Sequence, residues 1–170
     1  LDGTLYSKHG MVKHMMASAM LEWKMMLIER KTRKQLRGVW KGDKDSFYNM
    51  YFASMAQGHL FSQDYAKWWY ETRYMPLMVK VIQKWHKPVE WLLPFVHQCK
   101  ELGVRIVVLS DYGHAKEKIQ ALGLDESIFD WVISAPELGG LKPAAELMNR
   151  VAAKMGVQPH QCLVIGDRDD

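Results

Sequence analysis

The stretch VRIVVLSDYG, residues 104–113, decides the fold. It opens on an apolar, mostly β-branched run that is typical of a short buried strand in a parallel sheet. Ser110 and Asp111 follow directly, so the strand ends in side chains that can bind a ligand. Residues 113–122 then carry a helical pattern closed by Gly123. A strand, a polar turn and a helix in this order predict one unit of a parallel α/β sheet.

The same alternation continues along the second half of the chain. Residues 131–134 and 162–165 are short apolar runs that predict two further strands. Residues 88–102 and 143–155 have helical spacing and are each followed by a glycine. Short strands that alternate with helices of this length favour a parallel sheet with right-handed crossover connections.

Residues 11–87 follow a helical pattern instead. Apolar side chains, among them Met15, Met20 and Leu27, recur at a spacing near 3.6 and predict one buried helix face. The predicted boundaries are a first helix from Met11 to before Gly38, a second capped by Asp45 or Ser46, and a third capped by Ser62 and kinked or broken at Pro76. The sequence therefore predicts a small helical bundle in this part of the chain.

The composition is that of an ordinary globular protein, with 48% hydrophobic and 25% charged residues among 170, which excludes a disordered tail and a collagenous rod. The net charge of +4 is unevenly distributed: residues 7–88 carry +9 and the remainder −5. The longest apolar stretch is too short and too charged to predict a membrane span. Cys99 and Cys162 lie far apart, which is typical of reduced thiols, so we expect a cytoplasmic protein.

Four polar clusters are placed where the predicted strands and loops end: LDGTL at 1–5, SDYG at 110–113, LKP at 141–143 and GDRDD at 166–170. Each cluster has an ordinary structural interpretation when taken alone, as a turn, a helix cap, a surface lysine or an acidic loop. The carboxyl ends of parallel strands meet at one edge of a sheet, and ligands bind there. Together the clusters predict a hydroxyl, a lysine and several carboxylates around one crevice.

In this order the four clusters resemble the motifs of the haloacid dehalogenase superfamily, and the resemblance spans residues 1–170. The insertion between the first and second motifs is similar to the helical, C1-type cap of the subgroup with an early insertion. The resemblance implies a Rossmann-like α/β core formed by residues 1–10 and 88–170, and a helical-bundle cap formed by residues 11–87. It also implies that the sequence is truncated at both ends of the motif set.

The resemblance implies a Mg²⁺-dependent phosphatase that works through an aspartyl-phosphate. The nucleophilic aspartate of the family motif falls one position before Leu1. Asp2 is implied to be the general acid and then the general base, with its backbone carbonyl facing the metal. Ser110 and Lys142 are implied to hold and neutralise the phosphoryl group. The superfamily also contains C–Cl hydrolases, but these typically lack an acid at the position of Asp2.

The remaining roles implied by the resemblance concern the metal and the substrate. Asp167 is implied to be a direct Mg²⁺ ligand and Asp170 a second or water-mediated one, with Asp169 competing for that place. Thr4 and the backbone amide of Asp111 are implied to contact the substrate.

The basic helical half suggests how an anionic substrate is attracted. We take Lys13, Arg37 and Arg73 as candidates to touch the substrate. The alternative is that these charges only solvate the bundle. We expect the basic run 30–37 to be a solvated helix end. The expected partner is a small phosphorylated metabolite, with no nucleic acid and no membrane. A phosphomutase acting on a sugar phosphate, or a catalytically silent binding member of the family, are the alternatives.

Overall fold

The α/β half of the chain is built around two parallel strands, β1 (Val107–Ser110) and β2 (Trp131–Ser134). In the computed structural model, which describes residues 1–167, Ser110 lies opposite Ser134 at their shared carboxyl end. Helix α7 (Ala115–Ala121) connects the two strands. The predicted strand–helix–strand unit and the α/β class are therefore confirmed, although β1 begins three residues later than predicted.

The predicted strand at residues 162–165 does not form within the described part of the chain. Leu163, Val164 and Ile165 are 85%, 65% and 51% exposed. An extended segment becomes a strand only when a neighbour takes its backbone hydrogen bonds, and no strand among residues 1–167 pairs with it.

The helical half consists of consecutive helices that pack on one another. Their bounds are α1 (Met11–Ser18), α2 (Trp23–Gln35), α3 (Lys44–Ala56), α4 (Gln63–Trp69) and α5 (Met75–Trp85). The single first helix predicted up to Gly38 is wrong, because Ala19 leaves the helical conformation and a 3₁₀ turn follows. Part of its predicted apolar face is also wrong, since Met20 and Leu27 are 71% and 54% exposed.

The helix boundaries have identifiable local causes. Ser62 caps α4 by accepting the backbone N–H of Tyr65 at 3.1 Å, as predicted. The cap of α3 is Asp43 and not Asp45 or Ser46, because the Asp43 carboxylate accepts the N–H of Ser46 at 2.9 Å. The irregularity predicted at Pro76 is a π-helical turn, Tyr70–Tyr74, which relieves the missing N–H and the bulky ring that proline brings to α5.

One hydrophobic core joins the helical half to the strands. Its members from both halves include Phe47, Tyr51, Met75, Ile82, Ile119 and Val132. Helix α5 packs on α7, and Met75 lies beside Gly113, in the loop that follows β1. Helices α6 (Leu92–Glu101) and α8 (Ala145–Lys154) complete the α/β half. No helix within residues 1–167 is both long enough and apolar enough to cross a bilayer.

Candidate active site

Asp2 lies in a tight turn whose form depends on Gly3. The N–H groups of Thr4 and Leu5 both donate to the carbonyl of Leu1, at 3.2 and 3.0 Å. Gly3 has a φ of +91°, and a Cβ atom there would lie 2.6 Å from Oδ2 of Asp167. Only glycine combines this backbone conformation with this close approach. The turn thereby brings Asp2 and Asp167, which are distant in sequence, to one place.

Replacement of Gly3 by alanine is expected to destabilise the fold and to displace Asp167. Gly58→Ala is the matched control, because Gly58 also has a positive φ, +75°, but has open space around it. Both variants should lose the conformational term of about 1 kcal/mol in the free energy of unfolding, because both glycines have a positive φ, and Gly3→Ala alone should displace the Asp167 carboxylate. Denaturant unfolding measures the loss of stability and Mg²⁺ titration the displacement; weaker Mg²⁺ binding in both variants, or in neither, would contradict the close approach.

The carboxylate of Asp2 is the centre of a buried polar cluster. Its Oδ1 accepts the hydroxyl of Tyr6 at 2.6 Å, and its Oδ2 accepts the hydroxyl of Ser110 at 3.0 Å. The ammonium of Lys118 lies 3.1 and 3.4 Å from the two oxygens. The side chain of Lys118 is fully buried, so this ion pair is shielded from solvent.

The surroundings of Asp2 keep it ionised. Burial alone would raise the pKa of its carboxyl, but nearby positive charge, that of Lys118 above all, together with the hydrogen bond from Tyr6 holds it well below its usual range. Burial and the nearby carboxylate raise the pKa of Tyr6, which therefore stays a hydroxyl donor. Burial lowers the pKa of Lys118, while Asp2 opposes that effect. Asp2 is thus a proton acceptor in this state.

Ser110 and Lys142 both lie at the end of β1. The side chain of Lys142 donates to the carbonyl of Leu109 at 3.1 Å, and its backbone N–H donates to the carboxylate of Asp111 at 3.0 Å. The hydroxyl of Ser110 also accepts the N–H of Tyr112 at 3.2 Å. The carboxyl end of β1 therefore holds a hydroxyl, a lysine and a carboxylate within one network.

The predicted metal ligands are only partly within the described residues. The carboxylate of Asp167 lies against Gly3 and forms an ion pair with Lys8. Asp170 lies outside the described residues. Residues 1–167 contain no cluster of three or more His, Cys, Asp or Glu side chains that could hold a metal. Asp167 and the backbone of the Asp2 turn nevertheless supply the hard oxygen atoms that Mg²⁺ prefers, and Mg²⁺ usually keeps several waters.

The basic residues proposed from the sequence to touch a substrate belong to the helical half, and Arg37 directly precedes Gly38, whose N–H donates to the carbonyl of Lys142 at 3.2 Å. Arg73 pairs with Glu22 at 2.7 Å, and Lys13 and Arg37 are exposed. The arginine that reaches the end of β1 is Arg33, which donates to the carbonyl of Asp111. The expectation that residues 30–37 form a solvated helix end is therefore wrong at Arg33, which is buried.

Sequence reasoning also missed Tyr6 and Lys118. Lys118 carried a signal, because it occupies an apolar position of α7 between Ala115 and Leu122 and beside Ile119. A lysine on the buried face of a helix requires a counter-charge, and Asp2 supplies it. Tyr6 gave no such signal, since its partner is defined only by the turn at Gly3.

Comparisons with known proteins identify the family of this chain. The family described as haloacid dehalogenase-like hydrolase matches residues 1–170. Protein SUPPRESSOR OF QUENCHING 1, chloroplastic, from Arabidopsis thaliana is 34% identical over 77 residues, which cover 44% of this chain and 7% of that protein. Haloacid dehalogenase-like hydrolase domain-containing protein 3 from Xenopus laevis is 30% identical over 69 residues, or 41% of this chain and 28% of that protein. The matched regions are thus a minor part of both relatives.

Proposed function

Because this chain belongs to the haloacid dehalogenase-like hydrolases, we propose that it is a phosphatase that hydrolyses a small phosphorylated metabolite. The observation that carries the proposal is the carboxylate of Asp2, 11% exposed and hydrogen-bonded to Ser110 at 3.0 Å beside the lysine-bearing end of β1. A hydroxyl, fixed cations and a proton-transferring carboxylate are the groups that phosphoryl transfer requires.

The proposed reaction has two displacements at phosphorus. A carboxylate at the position before Leu1 attacks the phosphorus atom, and the bond to the leaving oxygen breaks as Asp2 gives that oxygen a proton. Asp2 then takes a proton from water, whose oxygen attacks the phosphorus of the aspartyl-phosphate. The second step releases inorganic phosphate and restores both carboxyl groups.

The low pKa of Asp2 suits the second step, in which it acts as a base. For the first step it must carry a proton, and an arriving phosphate dianion favours this because like charges raise the pKa of a nearby carboxyl. The phosphate would also draw the ammonium of Lys118 toward its own oxygens. We therefore propose that substrate binding itself prepares Asp2 as the acid.

We propose that Ser110 and Lys142 hold the phosphoryl oxygens and that Asp167 binds Mg²⁺. Each of the first two already donates within the network at the end of β1, so each can transfer a hydrogen bond to the substrate. Bound Mg²⁺ would neutralise charge on the phosphoryl group. Asp167 must leave its ion pair with Lys8 to become a metal ligand.

The helical half, residues 11–87, is proposed to act as a cap over this site. Its charge of +8, against −4 for the remainder, would favour the entry of an anion. Lys13, Arg37 and Arg73 remain proposed substrate contacts, with Arg73 exchanging its pair with Glu22 for the substrate. A cytoplasmic location and the absence of a nucleic-acid partner stay predictions.

Removal of the Lys118 ammonium should change the pH dependence of the reaction. In Lys118→Met the counter-charge of Asp2 is lost while its burial remains, so the pKa of Asp2 rises. The basic limb of the kcat/KM profile, which reports the protonated Asp2 that the first displacement requires, should move to higher pH by about one unit or more. Lys116→Met is the control, because Lys116 is on the same helix but pairs with Glu126 at the surface. A profile that moves equally in both variants would exclude Lys118 as the cause.

The proposal as a whole is tested by phosphate release from a panel of phosphate monoesters in the presence and absence of Mg²⁺. A phosphatase releases inorganic phosphate, whereas a phosphomutase returns the phosphoryl group to a product. Binding of phosphate esters without turnover would identify a silent binding member of the family.

A further inference from the structure

A buried polar network in the helical half reaches the end of β1. Glu29 and Arg33 lie one turn apart on α2, with the Nε of Arg33 donating to Oε1 of Glu29 at 2.9 Å. The hydroxyls of Tyr51 and Tyr74 donate to the two oxygens of Glu29 at 2.7 and 3.1 Å. Glu29 and Arg33 are 0% and 6% exposed, so the pair is shielded from water and held from three helices.

The Arg33 guanidinium also reaches out of this network, through its Nη1 atom, to the loop that follows β1. Its Nη1 donates to the backbone carbonyl of Asp111, and its Cζ atom lies 4.0 Å from the centre of the Tyr112 ring. Its Nε and Nη2 are engaged by Glu29 and Tyr51, the latter at 2.8 Å. All three guanidinium nitrogen atoms of Arg33 therefore have hydrogen-bond partners, and the guanidinium connects Glu29 to the loop.

A second contact from the helical half holds the next residue of the loop. The N–H of Gly113 donates to the hydroxyl of Tyr70 at 3.1 Å. A Cβ atom on Gly113 would lie 3.3 Å from that hydroxyl, so the approach is close. Three successive loop residues, 111–113, are thus held by Arg33 and Tyr70.

The loop held in this way carries the proposed phosphate-binding groups. The N–H of Tyr112 donates to the hydroxyl of Ser110, and the carboxylate of Asp111 accepts the N–H of Lys142. A shift of residues 111–113 would therefore move both Ser110 and Lys142. Displacements of about 1 Å at such groups can reduce turnover by about a hundredfold.

We propose that Arg33 is a positioning residue, fixed by Glu29 and assisted by Tyr70, that sets the loop 111–113 and with it Ser110 and Lys142. This inference rests on the proposed function for its effect on turnover. It also implies that the helical half cannot separate from the loop without releasing the phosphate-binding groups. Opening for the substrate and assembly of the site are then one coupled movement.

The test uses the full protein and two independent measurements. Amide hydrogen exchange at Tyr112 and Gly113, without substrate, reports the loop directly. Steady-state hydrolysis of para-nitrophenyl phosphate reports the reaction. The variants are Tyr70→Phe, Arg33→Lys and the double variant Glu29→Gln with Arg33→Met, which avoids a buried unpaired carboxylate. Arg30→Met, on the exposed side of α2, and Tyr65→Phe, on the surface of α4, are the matched controls.

We expect faster exchange at Gly113 in Tyr70→Phe and at both amides in the Arg33 variants, with the controls like the wild type. The double variant should lose about a hundredfold in kcat, with KM changed much less. Arg33→Lys should lose less in kcat, because lysine keeps the positive charge but not the planar set of guanidinium donors. Tyr70→Phe should lower kcat with its melting temperature nearly unchanged.

Unchanged exchange in folded Tyr70→Phe and Arg33→Lys would overturn the inference, whatever the activity. An equal change of kcat and thermal stability in the controls would also overturn it. A wild-type protein that hydrolyses no phosphate ester would refute the proposed function alone, and the exchange data would still decide the positioning role.

Discussion

Asp2→Asn is expected to slow hydrolysis of an alkyl phosphate by about a hundredfold or more. The amide keeps the shape of the carboxyl and one acceptor oxygen, but it cannot give a proton to the leaving oxygen or take one from water. The loss should be smaller in the first displacement for an aryl phosphate, because a good leaving group needs less protonation. The measurement is kcat/KM across esters whose leaving groups differ in pKa.

The control for this variant is Asp45→Asn, a change of the same kind at an exposed position in the first turn of α3. It should leave the rate unchanged for every ester. Equal losses across all leaving groups in Asp2→Asn would mean that Asp2 is not the proton donor. Because Asp2 also pairs with Lys118, the folded state of the variant must be verified by circular dichroism and by its unfolding midpoint.

Asp167→Asn is expected to abolish Mg²⁺-dependent turnover, with a loss of about a thousandfold or more, because a metal stabilises the transition-state charge by several kcal/mol. Mg²⁺ titration by calorimetry should show weakened binding in the same variant. Lys8→Met should strengthen Mg²⁺ binding, since it removes the cation that pairs with Asp167.

Asp64→Asn, at an exposed position in the first turn of α4, is the control for the Asp167 variant. Near-normal Mg²⁺ affinity and rate in Asp167→Asn would remove Asp167 from the metal site. Unchanged affinity in Lys8→Met would show that the ion pair does not compete with the metal.

The α/β unit could be predicted because its signals are local. The apolar run at 131–134 is a strand with the predicted bounds, and Ser62 caps its helix as predicted. The strand at 162–165 could not be decided in this way, because strand propensity does not supply the neighbour that must accept its hydrogen bonds. The apolar run at 131–134 is paired in the sheet, whereas the similar run at 162–165 is exposed.

The site was predictable where the residues follow a strand and not where they come from distant helices. Ser110 lies in the site because it is the last residue of β1, whereas Lys142 reaches the end of β1 from the loop after the 3₁₀ turn Ala135–Leu138. A Glu and an Arg four residues apart, by contrast, have the same sequence pattern on a solvated helix and in a buried network. The burial of Arg33 depends on tyrosines from other helices, which a local charge pattern does not contain.

The proposed covalent intermediate is tested most directly by trapping it. The full protein and its Asp2→Asn variant are mixed with a ³²P-labelled aryl phosphate and Mg²⁺, quenched in acid, and the label on the protein is counted. Asp2→Asn should accumulate label that is released by hydroxylamine, because attack on a good leaving group continues while the hydrolysis of the aspartyl-phosphate loses its base. The labelled peptide should be the one that contains Leu1 and position 2. Phosphate release by the wild type without label on either protein at any time would contradict the account.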